Sequence, residues 1–208
     1  MTAPPGKPDH QRPELPEFWD KRFRDGTTPW DAGRVPAALQ AFAAGEMSAD
    51  ASGQARRALV PGCGSAYEAA FLDRLGWAVT ALDFSAAAID AARRNLGDWN
   101  GALLHDDFFT HQPARPYGLV YERAFLCALP RKLWSDYGPR MAELVDAGGL
   151  LAGFYFFGED PKGPPFGVAR EALDAMLDPY FTLEAEAGVA DSIGPFAGRE
   201  RWMVWRRR

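Results

Sequence analysis

A glycine turn between two short apolar runs constrains the fold of this chain more than any other stretch. The first run, Ala58 to Val60, is followed directly by the turn Pro61-Gly62-Cys63-Gly64. A helix is predicted from Ala66 to Leu75, because apolar residues recur there at helical spacing and Gly76 is a typical C-terminal stop. A buried strand from Trp77 to Leu82 completes the pattern, which is that of one βαβ unit.

The glycine turn and the acid after the second strand together predict a nucleotide-type site. Gly62 and Gly64 let the backbone approach a ligand without interference from a Cβ atom. Asp83 follows about twenty residues later, the offset at which a carboxylate meets ribose hydroxyls in such units. Tyr67 stands where the dinucleotide fingerprint requires a third glycine, so a pyrophosphate is disfavoured. The competing interpretation is structural, since any α/β protein can place glycines and an acid at these points.

Composition narrows the class of protein and its partners. With 208 residues, 47% hydrophobic and 25% charged, one domain around one core is expected. A formal net charge of -5 argues against a nucleic-acid partner. Cys63 and Cys127 are the only cysteines, which predicts neither a disulfide framework nor a metal site and fits a reducing compartment. No run reaches membrane-spanning length and no signal peptide is recognised. We therefore expect a cytoplasmic protein with a small-molecule substrate and no membrane partner, as a monomer or weak dimer.

The N-terminal part divides into two predicted regions. Residues 1–13 contain four prolines among polar residues and are predicted to be a disordered lead. Residues 14–208 are predicted to be a single domain, whose first part, 14–45, is a helical lid. Its helices are expected at Glu17 to Arg24 and at Val35 to Ala44.

Three aromatic residues of the predicted lid are candidate ligand contacts. Trp19 and Phe23 lie on the first helix, and Trp30 follows the loop around Gly26 and Pro29. These rings could converge on a ligand. They could equally anchor the helix on the domain, because large aromatic side chains serve both purposes.

Acidic and aromatic residues follow the predicted third strand, Ala102 to Leu104. Strand ends line the ligand crevice of an open α/β sheet, so Asp106 or Asp107 could accept a hydrogen bond from an adenine amino group. Phe108 could then pack on the ring. The alternative for either aspartate is an Asx turn in a solvated loop.

Arg123 follows the predicted fourth strand, Tyr117 to Tyr121, and is the candidate catalytic residue. It could be an ion-pair partner of Glu122 or of another nearby acid such as Asp31, or it could contact an anionic substrate. We favour substrate contact, which would make anionic acceptors the preferred ones.

Five strands that alternate with helices and end in a strand pair predict the fold class: α/β, doubly wound, with a mostly parallel Rossmann-like sheet of seven strands and an antiparallel strand near its C-terminal edge. Ser65 and Ser85 are predicted helix caps. Gly148-Gly149 is expected to end the long helix that precedes the fifth strand. The remaining elements are expected at Ala86 to Asn95, Arg131 to Val145, Leu150 to Phe157, Val168 to Leu177, Tyr180 to Ala187 and Glu200 to Arg206.

The chain after residue 13 resembles the thiopurine methyltransferase family, and within it especially the thiol and halide methyltransferases. The motifs that carry the resemblance are F-W-D-K-R-F at Phe18 to Phe23, T-P-W-D-A-G-R at Thr28 to Arg34, R-A-L-V-P-G-C-G at Arg57 to Gly64 and G-P-P-F-G-V at Gly163 to Val168. The family has the S-adenosylmethionine-dependent methyltransferase sheet, which matches the predicted order of elements.

The resemblance implies a cofactor, a reaction and several contacts. It implies methyl transfer from S-adenosylmethionine to a small soft nucleophile: a thiol, a thiopurine, a halide or a chalcogen species. The cofactor-contacting positions of the family correspond to Trp19, Trp30, Gly62, Asp83 and Asp107, and Phe23 stands where the family usually has tryptophan. Arg123 matches the thiopurine enzymes, because the plant thiol and halide enzymes carry an aromatic residue there.

Two other classes remain open at this point. A nicotinamide-dependent reductase would need the missing third glycine and would not need the antiparallel strand pair. A non-catalytic nucleotide-sensing domain would bind the cofactor without turnover. A nucleic-acid methyltransferase is disfavoured by the acidic charge and by the lack of an Asn-Pro-Pro-Tyr or Asp-Pro-Pro-Tyr motif after the fourth strand.

Overall fold

The computed structural model describes residues 7–46 and 53–208. Its α-helices are α1 Pro16–Arg24, α2 Ala37–Gly45, α3 Tyr67–Arg74, α4 Ala86–Leu96, α5 Trp134–Leu144 and α6 Arg170–Leu177. Its strands are β1 Arg57–Pro61, β2 Ala78–Asp83, β3 Ala102–His105, β4 Tyr117–Arg123, β5 Val145–Phe156, β6 Phe181–Gly188 and β7 Glu200–Arg207. Three 3-10 turns lie at Asp9–Gln11, Leu126–Ala128 and Arg131–Leu133.

The seven strands form one sheet in the order β3-β2-β1-β4-β5-β7-β6. Strands β1 to β5 pair in parallel, and β7 runs antiparallel between β5 and β6. The predicted doubly wound sheet with an antiparallel strand near its C-terminal edge is therefore confirmed. The chain reverses its direction of winding between β1 and β4, and ligand crevices of open α/β sheets form at this switch point.

Helices cover both faces of the sheet, so its central strands are buried on both sides. Four of the five β1 residues and all but two of the β4 residues are buried, as expected for parallel strands between two layers of helices. One of the two largest core clusters contains Leu72 and Tyr121, and the other contains Tyr137 and Trp205. The double-sided core holds the carboxyl ends of the strands at fixed positions.

Several predicted details differ in the structure. Ser85 does cap α4, since its Oγ accepts a hydrogen bond from the Ala88 amide at 3.1 Å. Ser65 does not cap α3, because Ala66 precedes that helix in the left-handed region, at φ +59°, and the Ser65 hydroxyl donates to Asp31 instead. The helix expected over 131–145 begins as a 3-10 turn and ends at Leu144.

The fifth strand starts earlier than predicted. It begins at Val145 and contains Gly148-Gly149, which were expected to separate it from the preceding helix. The pairing with β4 shifts register between Tyr117 and Leu119. The glycines are therefore an irregularity at the start of a long strand.

The N-terminal region also differs in part from expectation. Residues 1–6 of the predicted disordered lead lie outside the described residues. Residues 7–13 have a defined path that includes the 3-10 turn Asp9–Gln11. Of the helices between 7 and 46 and between 53 and 208, none has the length and apolar composition needed to cross a membrane.

Candidate active site

A cavity of about 400 Å³ opens at the carboxyl ends of the parallel strands, within the size range of small-molecule sites. It lies under the N-terminal segment and is also bordered by the loop that carries Pro164 and Pro165. All ten residues singled out from the sequence line it: Trp19, Phe23, Trp30, Gly62, Gly64, Asp83, Asp106, Asp107, Phe108 and Arg123.

The floor of the cavity is the glycine turn between β1 and α3. Gly62 and Gly64 have φ angles of +56° and +50°, which side chains rarely adopt. A Cβ atom on Gly62 would lie 2.6 Å from the Phe125 ring. Glycine at 62 therefore permits both the left-handed turn and the close approach of the loop that follows β4.

Asp83 is held rigidly at the end of β2 by two backbone donors. Its Oδ2 accepts from the Gly64 amide at 3.1 Å, and its Oδ1 accepts from the Ser85 amide at 2.9 Å. Burial raises the pKa of the Asp83 carboxyl to about 6, although these two hydrogen bonds oppose the shift. Each carboxylate oxygen keeps acceptor capacity beyond one hydrogen bond, so the side chain can also receive ligand hydroxyls.

The two aspartates after β3 have different surroundings. The Asp106 carboxylate is engaged by His111 Nδ1 at 2.7 Å, and His111 Nε2 in turn lies 2.9 Å from the Tyr117 hydroxyl. Asp107 is exposed, and its Oδ1 accepts from the Phe109 amide at 2.8 Å, which is the Asx turn considered from the sequence. Asp107 thus forms a turn contact and also lines the cavity.

Phe108 is fixed below these aspartates. It is buried against the Phe125 ring, with ring centroids 4.9 Å apart. The buried Arg140 donates through Nε to the Phe108 carbonyl at 2.9 Å. These contacts make the end of β3 a rigid part of the cavity wall.

An aromatic wall closes the cavity on the side of the N-terminal segment. Trp30 packs edge-on against Trp19, at 5.4 Å between centroids, and against Phe23, at 6.0 Å. The Trp19 indole N–H donates to the Pro13 carbonyl at 2.9 Å. These contacts anchor the segment on the domain, and the same rings line the cavity, so ligand contact by Trp19, Phe23 and Trp30 stays a prediction.

Arg123 lies between two glutamates that were not singled out from the sequence. Its Nη1 is 4.0 Å from Glu68 Oε1, and its Nε is 3.7 Å from Glu200 Oε1. The Arg123 side chain is only 7% exposed and lies over the Phe154 ring at 5.0 Å. We call Glu68, Arg123 and Glu200 the arginine cluster.

Neither acid suggested from the sequence supplies these ion pairs. Glu122 is fully buried, and its Oε2 accepts from the amides of Phe125 and Leu126 at 3.0 and 3.1 Å. Burial raises its pKa to about 7. Asp31 instead receives the Ser65 hydroxyl. Glu122 therefore shapes the loop after β4.

The missed glutamates differ in how far the sequence could have revealed them. Glu68 lies four residues after Gly64, on the first turn of α3. Its closeness to the glycine turn in sequence could have marked it as a residue near the cavity. Glu200 starts β7, which pairs with β5. Only the sheet order brings it to Arg123, across a long stretch of chain.

The charges that line the cavity favour a cationic ligand. Six carboxylates and three guanidinium groups contribute to the lining: Glu14, Asp31, Glu68, Asp83, Asp106, Asp107, Arg22, Arg34 and Arg123. Aromatic faces next to excess negative charge suit a sulfonium. No group of three or more metal-ligating side chains occurs within residues 7–46 and 53–208.

The fold is that of the S-adenosylmethionine-dependent methyltransferases. The structure resembles magnesium protoporphyrin IX methyltransferase from Synechocystis PCC 6803, solved with that cofactor bound, with a TM-score of 0.73 and 13% sequence identity. The similarity covers 99% of this chain and 100% of the other. Residues 15–208 match the family Thiopurine S-methyltransferase (TPMT). The chain belongs to this family.

Curated relatives agree with that membership. The chain is 30% identical over 200 residues to a probable thiol methyltransferase 2 of Arabidopsis thaliana, covering 91% of this chain and 84% of the relative. It is 28% identical over 195 residues to thiocyanate methyltransferase 1 of Brassica oleracea, with the same coverage. These relatives and the similar solved structure are named as methyltransferases, not as reductases or nucleotide-sensing proteins.

Proposed function

We propose that this protein transfers a methyl group from S-adenosylmethionine to a small thiol. The observation that carries the proposal is the joint position, around one cavity, of the buried Asp83 carboxylate, the aromatic wall and the arginine cluster. The thiol methyltransferase name of the Arabidopsis thaliana relative supports the choice of acceptor.

The cofactor would be held by residues from three strand ends and the aromatic wall. Asp83 would accept the ribose hydroxyls, and Gly62 and Gly64 would leave room for the backbone to approach the ligand. Asp107 and Phe108 would contact the adenine. Asp106 would help to hold this part of the site in place through its contact with His111. When bound, the cofactor supplies a methyl group that is already activated on a sulfonium.

The remaining task of the protein is positioning and removal of water. Trp19, Phe23 and Trp30 would face the sulfonium and exclude solvent from it. The cavity would hold the acceptor sulfur in line with the methyl group, which lowers the barrier by prior orientation.

Arg123 marks the acceptor end of the cavity in this proposal. Asp83 and the two aspartates after β3 lie on one side of β1, whereas Arg123 and Glu200 belong to β4 and β7 on the other side. A cofactor bound between the glycine turn and Asp83 would occupy the side of the cavity formed by β1, β2 and β3. The arginine cluster would then be available to the second substrate.

Turnover with purified protein tests the proposed function. We expect S-adenosylhomocysteine and a methyl thioether to form when the enzyme, S-adenosylmethionine and an aliphatic thiol are combined. Thermal shift should show stabilisation by S-adenosylmethionine and S-adenosylhomocysteine but not by NADH. A protein stabilised by the cofactor that methylates no thiol would refute the acceptor assignment.

We also propose a cellular compartment and an oligomeric state for the protein. A reducing, cytoplasmic environment fits two free, buried cysteines, Cys63 and Cys127. A monomer or weak dimer fits the surface of the described residues, on which Leu75 is the one large apolar side chain that is exposed.

The segment 14–34 is proposed to act as a lid, because side-chain contacts hold it over the cavity. Asp20 Oδ1 accepts from the Ser85 hydroxyl at 2.6 Å and from the Ala87 amide at 3.0 Å. Glu14 pairs with Lys132 at 2.8 Å. The connecting loop around Gly26 is exposed, and such polar attachments can open without breaking the core.

Limited proteolysis should detect the lid. We expect S-adenosylhomocysteine to slow cleavage near Gly26, and Asp20→Asn to accelerate it about fivefold in the free enzyme, since about 1 kcal/mol of hydrogen bonding is lost. Asp25→Asn is the matched control, because Asp25 directly follows the same helix and its side chain forms an exposed pair with Lys21. Equal cleavage with and without S-adenosylhomocysteine would contradict the lid.

A further inference from the structure

Glu68 lies beside Arg123 at the proposed acceptor end of the cavity, and none of the roles proposed above involves it. It lies on the first turn of α3, and its side chain is 15% exposed and lines the cavity. Its Oε1 lies 4.0 Å from Arg123 Nη1, which is too long for a hydrogen bond. Arg123 therefore forms an ion pair with Glu68 without a hydrogen bond to this oxygen, and the Glu68 side chain remains part of the cavity lining.

The charged groups around Glu68 make this end of the cavity negative on balance. Arg123 is the cation that faces Glu68. The Asp31 carboxylate raises the pKa of Glu68, and the Tyr121 hydroxyl lowers it. Glu200 lies on the far side of Arg123 at 3.7 Å and receives the Ser192 hydroxyl at 2.7 Å. One guanidinium between two carboxylates leaves no net positive charge to attract an anionic acceptor.

Burial also makes Glu68 a better proton acceptor than an ordinary glutamate. Burial raises the pKa of its carboxyl, while a backbone hydrogen bond and, more weakly, the Arg123 guanidinium oppose the rise. A carboxylate with a raised pKa accepts a proton more readily near neutral pH. A neutral thiol needs such a group, because only a few per cent of an aliphatic thiol is ionised at about pH 7.

On the basis of the proposed thiol methylation, we propose that Glu68 accepts the proton of a neutral thiol, and that the arginine cluster selects neutral thiols over small anions such as halides and thiocyanate. This reverses the preference expected when Arg123 was considered from the sequence alone.

The proposed transfer balances in atoms and charge. The thiol proton passes to a Glu68 oxygen as the thiol sulfur forms its bond to the methyl group. The bond between the methyl group and the sulfonium sulfur breaks, and its electron pair stays on that sulfur. The products are the methyl thioether, S-adenosylhomocysteine and a protonated Glu68, which returns its proton to water.

The pH dependence of Glu68→Gln separates this role from a structural one. At about pH 7 we expect kcat/KM for an aliphatic thiol to fall roughly tenfold, and by no more than about thirtyfold, because the few per cent of thiolate in solution still reacts. The loss should disappear toward pH 9.5, where the thiol ionises without help. Thiocyanate should be methylated faster by the variant than by the wild type.

Calorimetry with S-adenosylhomocysteine provides a readout that does not depend on turnover. We expect unchanged affinity for Glu68→Gln. Glu171→Gln is the matched control, because Glu171 lies in the first turn of α6 and is exposed, so it reproduces the charge change at a helix N-terminus. This control should leave activity and affinity unchanged.

Other results would overturn the inference. A loss of thiol activity that is the same at every pH, or a loss of S-adenosylhomocysteine affinity, would mean that Glu68 positions Arg123 or contacts the cofactor. No gain toward thiocyanate would refute the selection against anions. If the wild type itself methylates no thiol at any pH, the proposed function fails, and that result is distinct from a failure confined to Glu68→Gln.

Discussion

Replacing Arg123 with alanine is expected to lower kcat/KM for thiol methylation at about pH 7 by roughly ten- to thirtyfold, the range expected for Glu68→Gln, because Arg123 favours the ionised form of Glu68 and free thiolate still reacts without it. The guanidinium is the cation between Glu68 and Glu200. Without it, the pKa of both buried carboxyls should rise further. Glu68 would then be protonated more of the time and would accept the thiol proton less often.

Stability should fall in the same variant, because two buried carboxylates lose their partner. Protonation of those carboxyls limits the loss, so the variant should be more stable at mildly acidic pH than at neutral pH. Arg123→Lys should recover part of the activity, since it restores the charge but not the planar fork of donors. Arg201→Ala is the matched control, because Arg201 is 44% exposed on the same strand as Glu200 and pairs with Glu186.

Titration with S-adenosylhomocysteine tests whether Arg123 acts on the acceptor side. Affinity should remain nearly intact in Arg123→Ala, because the proposed ribose and adenine contacts are at the ends of β2 and β3. A variant that loses thermal stability and S-adenosylhomocysteine affinity together, and that Arg123→Lys does not rescue, would show that the arginine is a structural ion-pair partner alone.

Replacing Asp83 should weaken cofactor binding by roughly ten- to a hundredfold, because a buried diol would lose a charged acceptor worth about 1.5 to 3 kcal/mol. Asp83→Asn keeps the shape and removes the charge. Asp83→Ala also leaves the Gly64 and Ser85 amides without their acceptor, so it should cost more stability. Calorimetry with S-adenosylhomocysteine measures the affinity, and Asp90→Asn, an exposed carboxylate on α4, is the control.

The raised pKa of Asp83 gives this prediction a pH dependence of known sign. Its folded pKa is about 6 against an ordinary value of 3.8. The ionised form is therefore disfavoured in the free enzyme, and the contribution of Asp83 to stability falls as pH rises between these two values. Ribose hydroxyls donate to the ionised form, so affinity should increase as pH rises through about 6, with release of a proton. Asp83→Asn should lose this dependence.

Two results would contradict the assignment of Asp83. A folded Asp83→Asn variant with unchanged affinity would mean that the carboxylate only holds the glycine turn and the start of α4. Wild-type affinity that does not change between about pH 5 and pH 7 would mean that Asp83 does not change its ionisation when the ligand binds.

The sequence predicted the sheet well because its signals are local. The βαβ unit around Gly62 and Gly64 follows from apolar runs, a glycine turn and helical spacing. Asp83 could be placed because strand ends of a parallel sheet share one edge. The predicted start of β5 was wrong because Gly148-Gly149 is typical of a helix end, whereas the two glycines lie inside the first part of the strand.

Burial and long-range pairing were decided by the tertiary structure. The sequence suggested Glu122 and Asp31 as partners of Arg123, but the side chain of Glu122 turns to the amides of Phe125 and Leu126. Neighbours in sequence point to opposite faces of a strand, so Glu122 and Arg123 have different surroundings. Local patterns do not contain this information about partners.

The sequence by itself determined the order of strands and helices and placed Gly62, Gly64 and Asp83 at the carboxyl edge of the sheet, because these features depend on spacing within one βαβ unit or on the end of one strand. Only the tertiary structure decided the charge at the acceptor end. Glu200 reaches Arg123 because β7 inserts antiparallel beside β5, which brings residues far apart in sequence within 3.7 Å. The ionisation of Glu68 depends on that burial and on that arginine, and both arise only when the chain is folded.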